Sequence, residues 1–266
     1  MNSELAAAAQ KLLCSAAPQY HPDMNLTLEK LARGLSNDNY LLSTSSQLFL
    51  LKRYREAFPA KALQAQQQLA GLALTTAPLV WCEEDKLALF EYWRGEIYQG
   101  RDWQVLIMML RTLHQHQADN RAGVVMDLSA LLASLTHVEQ LIASAKRGQL
   151  AERLRTYPST LGFCHNDLVI ENILFDGEDF RLIDFEFAGY NDIYFDFAAL
   201  TVSLALQRVE AEAMLSHYFA TAAYQQLNME KLTDYRQAYL LLCVDWYSKR
   251  GHKGIAADLT AQLYTW

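Results

Sequence analysis

The sequence predicts an α+β fold in two lobes, a small β-rich N-terminal lobe over residues 1–92 and a mostly helical C-terminal lobe over residues 93–266. Three observations carry this. Short apolar runs separated by turn-forming residues recur in the first third, at 26–31, 40–42, 47–54 and 87–93, as strands do. Beyond Gly95, segments with apolar residues at helical spacing dominate, beginning with Val105, Leu106, Met109, Leu110 and Leu113. Embedded among those helices is one strand-turn-strand pattern, Asn172-Ile173-Leu174-Phe175 and Phe180-Arg181-Leu182-Ile183-Asp184 around Asp176-Gly177-Glu178-Asp179.

Taken in order, residues 3–14 read as an opening helix that ends before Pro18. A strand over 26–31, a small-residue turn through Gly34, Ser36 and Asn37, and a returning strand from Tyr40 can bring backbone N–H groups around phosphates without side-chain obstruction. The strand over 47–54 carries Lys52 and Arg53; neighbours on a strand face opposite ways, so only one of them can point inward. Residues 57–72 form a glutamine-rich helix. The strand over 87–93 runs into a break at Gly95, and helices follow over 103–115, 127–145, 149–154, 196–207, 210–226 and 232–249.

Composition narrows the chemistry. At 266 residues and 52% apolar content the chain can fill a sizeable core. A net charge of −7 without a basic run argues against a nucleic-acid partner. The stretch MNSELAAAAQKLL reads as a helix and not as a leader, and no run approaches the roughly 18 apolar residues of a membrane span. Cys14, Cys82, Cys164 and Cys243 show no metal-like spacing and suit reduced thiols, so a cytoplasmic location is expected. Cys164 next to His165 reads as a structural thiol, because sequence neighbours seldom point at each other.

The stretch from Leu161 to Leu200 carries the chemistry. His165-Asn166-Asp167 is followed by Asn172, and later by Asp184 within Ile183-Asp184-Phe185-Glu186. A carboxylate for an acceptor hydroxyl, then an amide oxygen and a second carboxylate for magnesium, is the order of parts that phosphoryl transfer needs. Asp167 is therefore the candidate base, Asn172 and Asp184 the candidate magnesium ligands, and His165 a brace for the loop. If the turn is Gly177–Asp179, Asn172 falls opposite Asp184; a loop of another length shifts the register by one and parts them.

At these residues, CHNDLVIENIL and LIDFEFAGYNDIYFDFAAL, the chain resembles the choline/ethanolamine and thiamine kinase branch of the aminoglycoside-phosphotransferase superfamily, which shares the protein-kinase-like two-lobed fold. Glu186, standing where protein kinases carry glycine, points to the small-molecule branch. The resemblance implies ATP and Mg2+ as cofactors. It assigns Lys52 to the nucleotide phosphates together with the turn at Ser36 and Asn37, and the backbone between Glu91 and Trp93 to the adenine. It assigns Asp196 to bracing the catalytic loop. It also implies a small-molecule alcohol acceptor, cationic in nature, near Glu186, Tyr190, Trp246 and Tyr247. Where the family supplies a glutamate to anchor the strand lysine, this chain has Gln64, Gln66, Gln67 and Gln68. Pro18-Gln19-Tyr20-His21-Pro22, Gly34-Leu35-Ser36 and Asp245-Trp246-Tyr247 look closest to thiamine kinases, whereas His165-Asn166-Asp167 and Phe185-Glu186-Phe187 look more like choline kinases. The alternatives are an aminoglycoside phosphotransferase and a non-catalytic nucleotide-binding protein. No Ala-Pro-Glu segment follows Asp184 as a protein kinase would require.

Overall fold

The computed structural model describes residues 3–16, 26–32, 34–100, 103–117, 126–220 and 227–266. Its first elements are α1 (Ser3–Ala16), β1 (Thr27–Lys30), β2 (Asp38–Ser43), β3 (Leu48–Arg53), α2 (Ala60–Ala70), β4 (Pro78–Cys82), β5 (Leu87–Glu91) and β6 (Glu96–Ile97). Then come α3 (Trp103–His114), α4 (Leu128–Ser134), α5 (Ser144–Thr156), β7 (Leu161–Cys164), β8 (Ile173–Phe175), β9 (Phe180–Leu182) and β10 (Gly189–Asp192). The chain closes with α6 (Tyr194–Ser203), α7 (Arg208–Phe219), α8 (Met229–Lys249) and α9 (Lys253–Gln262). These residues group into two compact units, Met1–Glu96 with Leu174–Glu186, and Ile97–Ile173 with Phe187–Trp266.

The first unit is built on a five-stranded antiparallel sheet in the order β1-β2-β3-β5-β4. Side chains alternate across a strand, so β3 sends Phe49 and Leu51 to one face and Leu50 and Lys52 to the other. The amphipathic α1 covers the first face, where Leu5, Ala9, Leu12 and Leu13 pack on Leu42, Phe49, Leu51, Leu87 and Leu89. On the second face Leu63 of α2 joins Tyr54, Ala88 and Phe90. The alternation leaves Arg53 exposed and buries Lys52, which is 6% exposed. Strand β4 begins on a proline and was not expected from the sequence.

Two expectations are corrected. Asp176 does not pair with Phe180. Its N–H bonds Asp179 O at 3.2 Å, and its carboxylate accepts from the N–H groups of Glu178 and Asp179. The tip is therefore Gly177-Glu178, and Phe175 lies against Phe180 with ring centroids 4.5 Å apart. This is the alternative register, which does not pair Asn172 with Asp184. Asn172 itself ends a 3-10 turn, Ile170–Asn172, rather than beginning a strand.

The helix expected over 127–145 is not continuous. The helix there is short, α4, capped by the Asp127 carboxylate accepting from Ala130 N at 3.0 Å. It stops because Asp245 of α8 takes the next backbone donors, the N–H groups of Thr136 at 2.8 Å and His137 at 2.6 Å.

In the second unit β7 pairs antiparallel with β10, a two-stranded element that leads into and out of the region around Asp167. Gly162 in β7 is required by close approach: a Cβ there would lie 2.7 Å from Ile193 Cγ2 and 2.9 Å from His114 O. A buried cation fixes the end of β10. Lys231, 2% exposed, donates to Asp192 Oδ2 at 2.6 Å and Pro158 O at 2.7 Å and lies 4.5 Å from the Tyr194 ring centroid. Asp192, 5% exposed, also accepts from Thr160 N and Tyr194 N. Removing one member of such a pair strands a buried charge. Lys231→Met is expected to lower stability by about 3–5 kcal/mol in a urea titration; a loss below about 1 kcal/mol would show that the pair contributes no net stability.

Candidate active site

In the first unit the turn between β1 and β2 is narrow. Leu31 N bonds Asn39 O at 2.8 Å, and Gly34 has φ +109°, where a Cβ would meet Asn39 Nδ2 at 2.5 Å. Asn37 is buried. Its amide nitrogen donates to Glu186 Oε2 at 2.7 Å and its oxygen accepts from Arg55 N at 3.3 Å. Ser36 is half-buried beside it. Asp38 starts β2 between Arg55 and Lys30, whose cations, Arg55 foremost, hold its carboxyl well below the usual range.

Lys52 donates to Asp184 Oδ1, and its ammonium lies 5.1 Å from the Tyr54 ring centroid. Asp184 sits just beyond β9 at φ +66°, a conformation that aspartate and asparagine tolerate better than most side chains. Tyr54 shares the inward face with Lys52. Burial first, then the charges of Asp184 and Glu186, push its hydroxyl far above the ordinary tyrosine range. Helix α2 offers no acid to the lysine; its buried Gln66 donates to Thr75 Oγ1 and Thr76 O, both at 3.1 Å. The ion partner of Lys52 comes from the segment after β9. Glu91 ends β5 with an exposed side chain, and Tyr92 N bonds Leu48 O at 3.1 Å. Trp93 is half-buried, with the Arg181 guanidinium 5.6 Å from its ring.

In the second unit the backbone at the end of β7 is tied to α6. Asp196, fully buried, accepts from His165 N and Asn166 N, both at 2.8 Å, and from His114 Nε2 at 3.2 Å. Asn166 takes φ +62°, and its side chain donates to Phe187 O and accepts from Asn191 Nδ2, both at 2.9 Å. These bonds hold the two residues before Asp167. Asp167 O then accepts from Val169 N and from Asn172 Nδ2 at 2.9 Å, and Asn172 Nδ2 also lies 3.4 Å from Asp167 Oδ2. With its nitrogen so used, the oxygen of Asn172 is the atom left to act as a ligand.

His114, Cys164 and Asp196 cluster within 4.8 Å, but the carboxylate there is saturated by backbone donors and His114, so a hydrogen-bonded brace accounts for the cluster. Burial, with Asp196 and Asp192 adding to it, pushes the Cys164 thiol well up, which suits a structural role and not a nucleophile.

Helix α8 contributes a stripe, Tyr239, Cys243 and Tyr247, one turn apart, of which only Tyr247 was expected from the sequence. Tyr239 OH lies 3.4 Å from Asp167 Oδ1. Burial, then the Asp167 charge, pushes the Cys243 thiol up to about 12. Burial, then Cys243, Asp167 and Glu171, pushes the Tyr247 hydroxyl up to about 12. The four-residue spacing was visible in the sequence; its facing Asp167 was not. The other residues expected around an acceptor are engaged: Trp246 carries the Arg250 guanidinium 3.9 Å from its ring centroid, and Tyr190 packs edge-on against Phe163 at 5.7 Å. Glu186 is bonded to Asn37 as described above. The segment 18–22 lies outside the described residues.

A family model described as the phosphotransferase enzyme family matches residues 27–229. A thiamine kinase of Salmonella paratyphi B is 28% identical over 203 residues, 72% of this chain and 70% of that protein. Among solved structures, a choline/ethanolamine kinase family protein from Mesorhizobium loti superposes with a TM-score of 0.73 at 18% identity, covering 99% of this chain and 92% of that one. A choline kinase from Streptococcus pneumoniae gives 0.69 at 20% identity, covering 96% and 99%. These likenesses show the protein-kinase-like fold expected from the sequence.

Proposed function

The chain belongs to the phosphotransferase enzyme family, and from that premise we propose that it is an ATP-dependent kinase that phosphorylates the hydroxyl of a cationic, choline-like or thiamine-like alcohol. The observation that carries the reading is the hold on Asp167: two buried backbone donors bound by Asp196 fix the chain before it, and Asn172 Nδ2 fixes its carbonyl. A carboxylate held this way aligns the acceptor hydroxyl and takes its proton as the oxygen attacks the γ-phosphorus and the bond to the β-phosphate oxygen breaks, releasing ADP.

Lys52, buried yet charged, is assigned to the nucleotide phosphates, with Ser36 and Asn37 in the turn above β2 and the backbone from Glu91 to Trp93 for the base. Magnesium takes oxygen ligands, and both the amide oxygen of Asn172 and the carboxylate of Asp184 fit that preference. When bound, the ion would neutralise phosphate charge. In this assignment the first unit serves the nucleotide and the second the acceptor.

The cationic character of the acceptor is supported by α8. After burial, the Asp167 charge raises the Cys243 thiol, and Cys243, Asp167 and Glu171 raise the Tyr247 hydroxyl; the rings of Tyr239 and Tyr247 stand on the same stripe. Aromatic faces beside carboxylates favour a cation, by on the order of 0.5–2 kcal/mol per ring. Tyr247 is assigned to that contact. The test is ADP release with Mg-ATP against choline, ethanolamine, thiamine, an aminoglycoside and the uncharged 3,3-dimethylbutanol. Turnover of one cationic alcohol, with the uncharged analogue of choline about tenfold or more poorer, is expected; equal use of the uncharged alcohol would remove the cationic acceptor, and turnover of the aminoglycoside alone would replace the substrate class.

A further inference from the structure

As base, Asp167 must present its carboxylate to the acceptor in a defined orientation. We propose that Tyr239 is a positioning residue for Asp167, its hydroxyl holding Oδ1 while the amide of Asn172 holds Oδ2, so that the carboxylate plane is set before the acceptor arrives. The inference rests on the kinase reading above.

Both contacts are 3.4 Å, one to each oxygen. Such bonds are often long before substrate binds and tighten in the reactive complex. The tyrosine is suited to the task. It is 5% exposed, and its ring packs edge-on against Phe195 with centroids 5.5 Å apart. Phe195 is the residue before Asp196, so α6 secures the backbone of the catalytic loop through Asp196 and the ring of Tyr239 through Phe195. Burial, then Cys243 and Asp167, pushes the hydroxyl well above the ordinary tyrosine value, so it keeps its proton and remains a donor throughout the working pH range. Orientation of this kind matters because a misplacement of about 1 Å at a reacting group can lower a rate by about a hundredfold.

The experiment compares wild type, Tyr239→Phe, Asp167→Asn and the double variant. Phenylalanine keeps the ring against Phe195 and removes the hydroxyl alone. Tyr239→Phe is expected to lower kcat about 5- to 30-fold with the KM for ATP unchanged and the melting temperature close to wild type. In the Asp167→Asn background it is expected to add nothing, because its effect passes through Asp167. A second readout needs no acceptor: in protein carrying tyrosine labelled with 13C at Cζ, the Tyr239 resonance, identified by its loss in Tyr239→Phe, should move in Asp167→Asn. An unmoved resonance, a kcat within twofold of wild type, or the full kcat loss persisting in Asp167→Asn would overturn the proposal. A moved resonance in a protein that turns over none of the acceptors supports the contact and overturns the kinase reading instead.

Discussion

Asp167→Ala is expected to lower phosphoryl transfer by about a thousandfold while ATP binding, measured by calorimetry with magnesium present, stays within a few-fold of wild type. The separation follows from where the side chain is held. The neighbours of Asp167 are fixed through their backbone by Asp196, and its own carbonyl by Val169 and Asn172, so removing the carboxylate leaves the loop bonded as before. What is lost is the acceptor for the substrate proton. A variant that keeps more than a tenth of wild-type turnover would transfer the role of base to another group.

The second large effect is expected at Asp184. Asparagine keeps the side chain's size and tolerates φ +66°, so Asp184→Asn isolates the charge. The magnesium-dependent part of ATP affinity should fall about 10- to 100-fold, until titrations with magnesium and with a chelator coincide. Lys52 would then be buried without its carboxylate partner. Since the Asp184 side chain is 27% exposed, solvent screening reduces the cost to the order of 1–3 kcal/mol. Adding Lys52→Met should recover that stability without restoring nucleotide binding. If Asp184→Asn retains full magnesium dependence, the metal assignment falls on other oxygens.

How much of this was legible depended on range. The strand around Lys52 could be read because alternation is local: Phe49 and Leu51 inward to one helix, Lys52 and Tyr54 together on the other face. The loop from His165 to Asn172 was legible as a string of chemistry-bearing residues. The helix expected over 127–145 failed for the opposite reason. Its apolar spacing runs on without glycine or proline, and the interruption comes from Asp245, more than a hundred residues away, capturing two backbone donors. The hairpin register turned on one side chain, Asp176, whose carboxylate closes the tip one residue tighter. Tyr239 was hidden because an aromatic in an apolar helical run reads as core until its long-range neighbour is known. The engagement of Trp246, by contrast, was within reach: Arg250 lies four residues on, one helical turn away.

Phosphoryl transfer to an alcohol can be read at its product by 31P NMR of the purified protein with Mg-ATP and choline, ethanolamine or thiamine. A new phosphomonoester resonance from one of these alcohols is expected, growing in step with ADP and absent with Asp167→Ala. Bound ATP that stays intact, or is converted to ADP and inorganic phosphate alone, with all three alcohols would rule out a kinase of such alcohols.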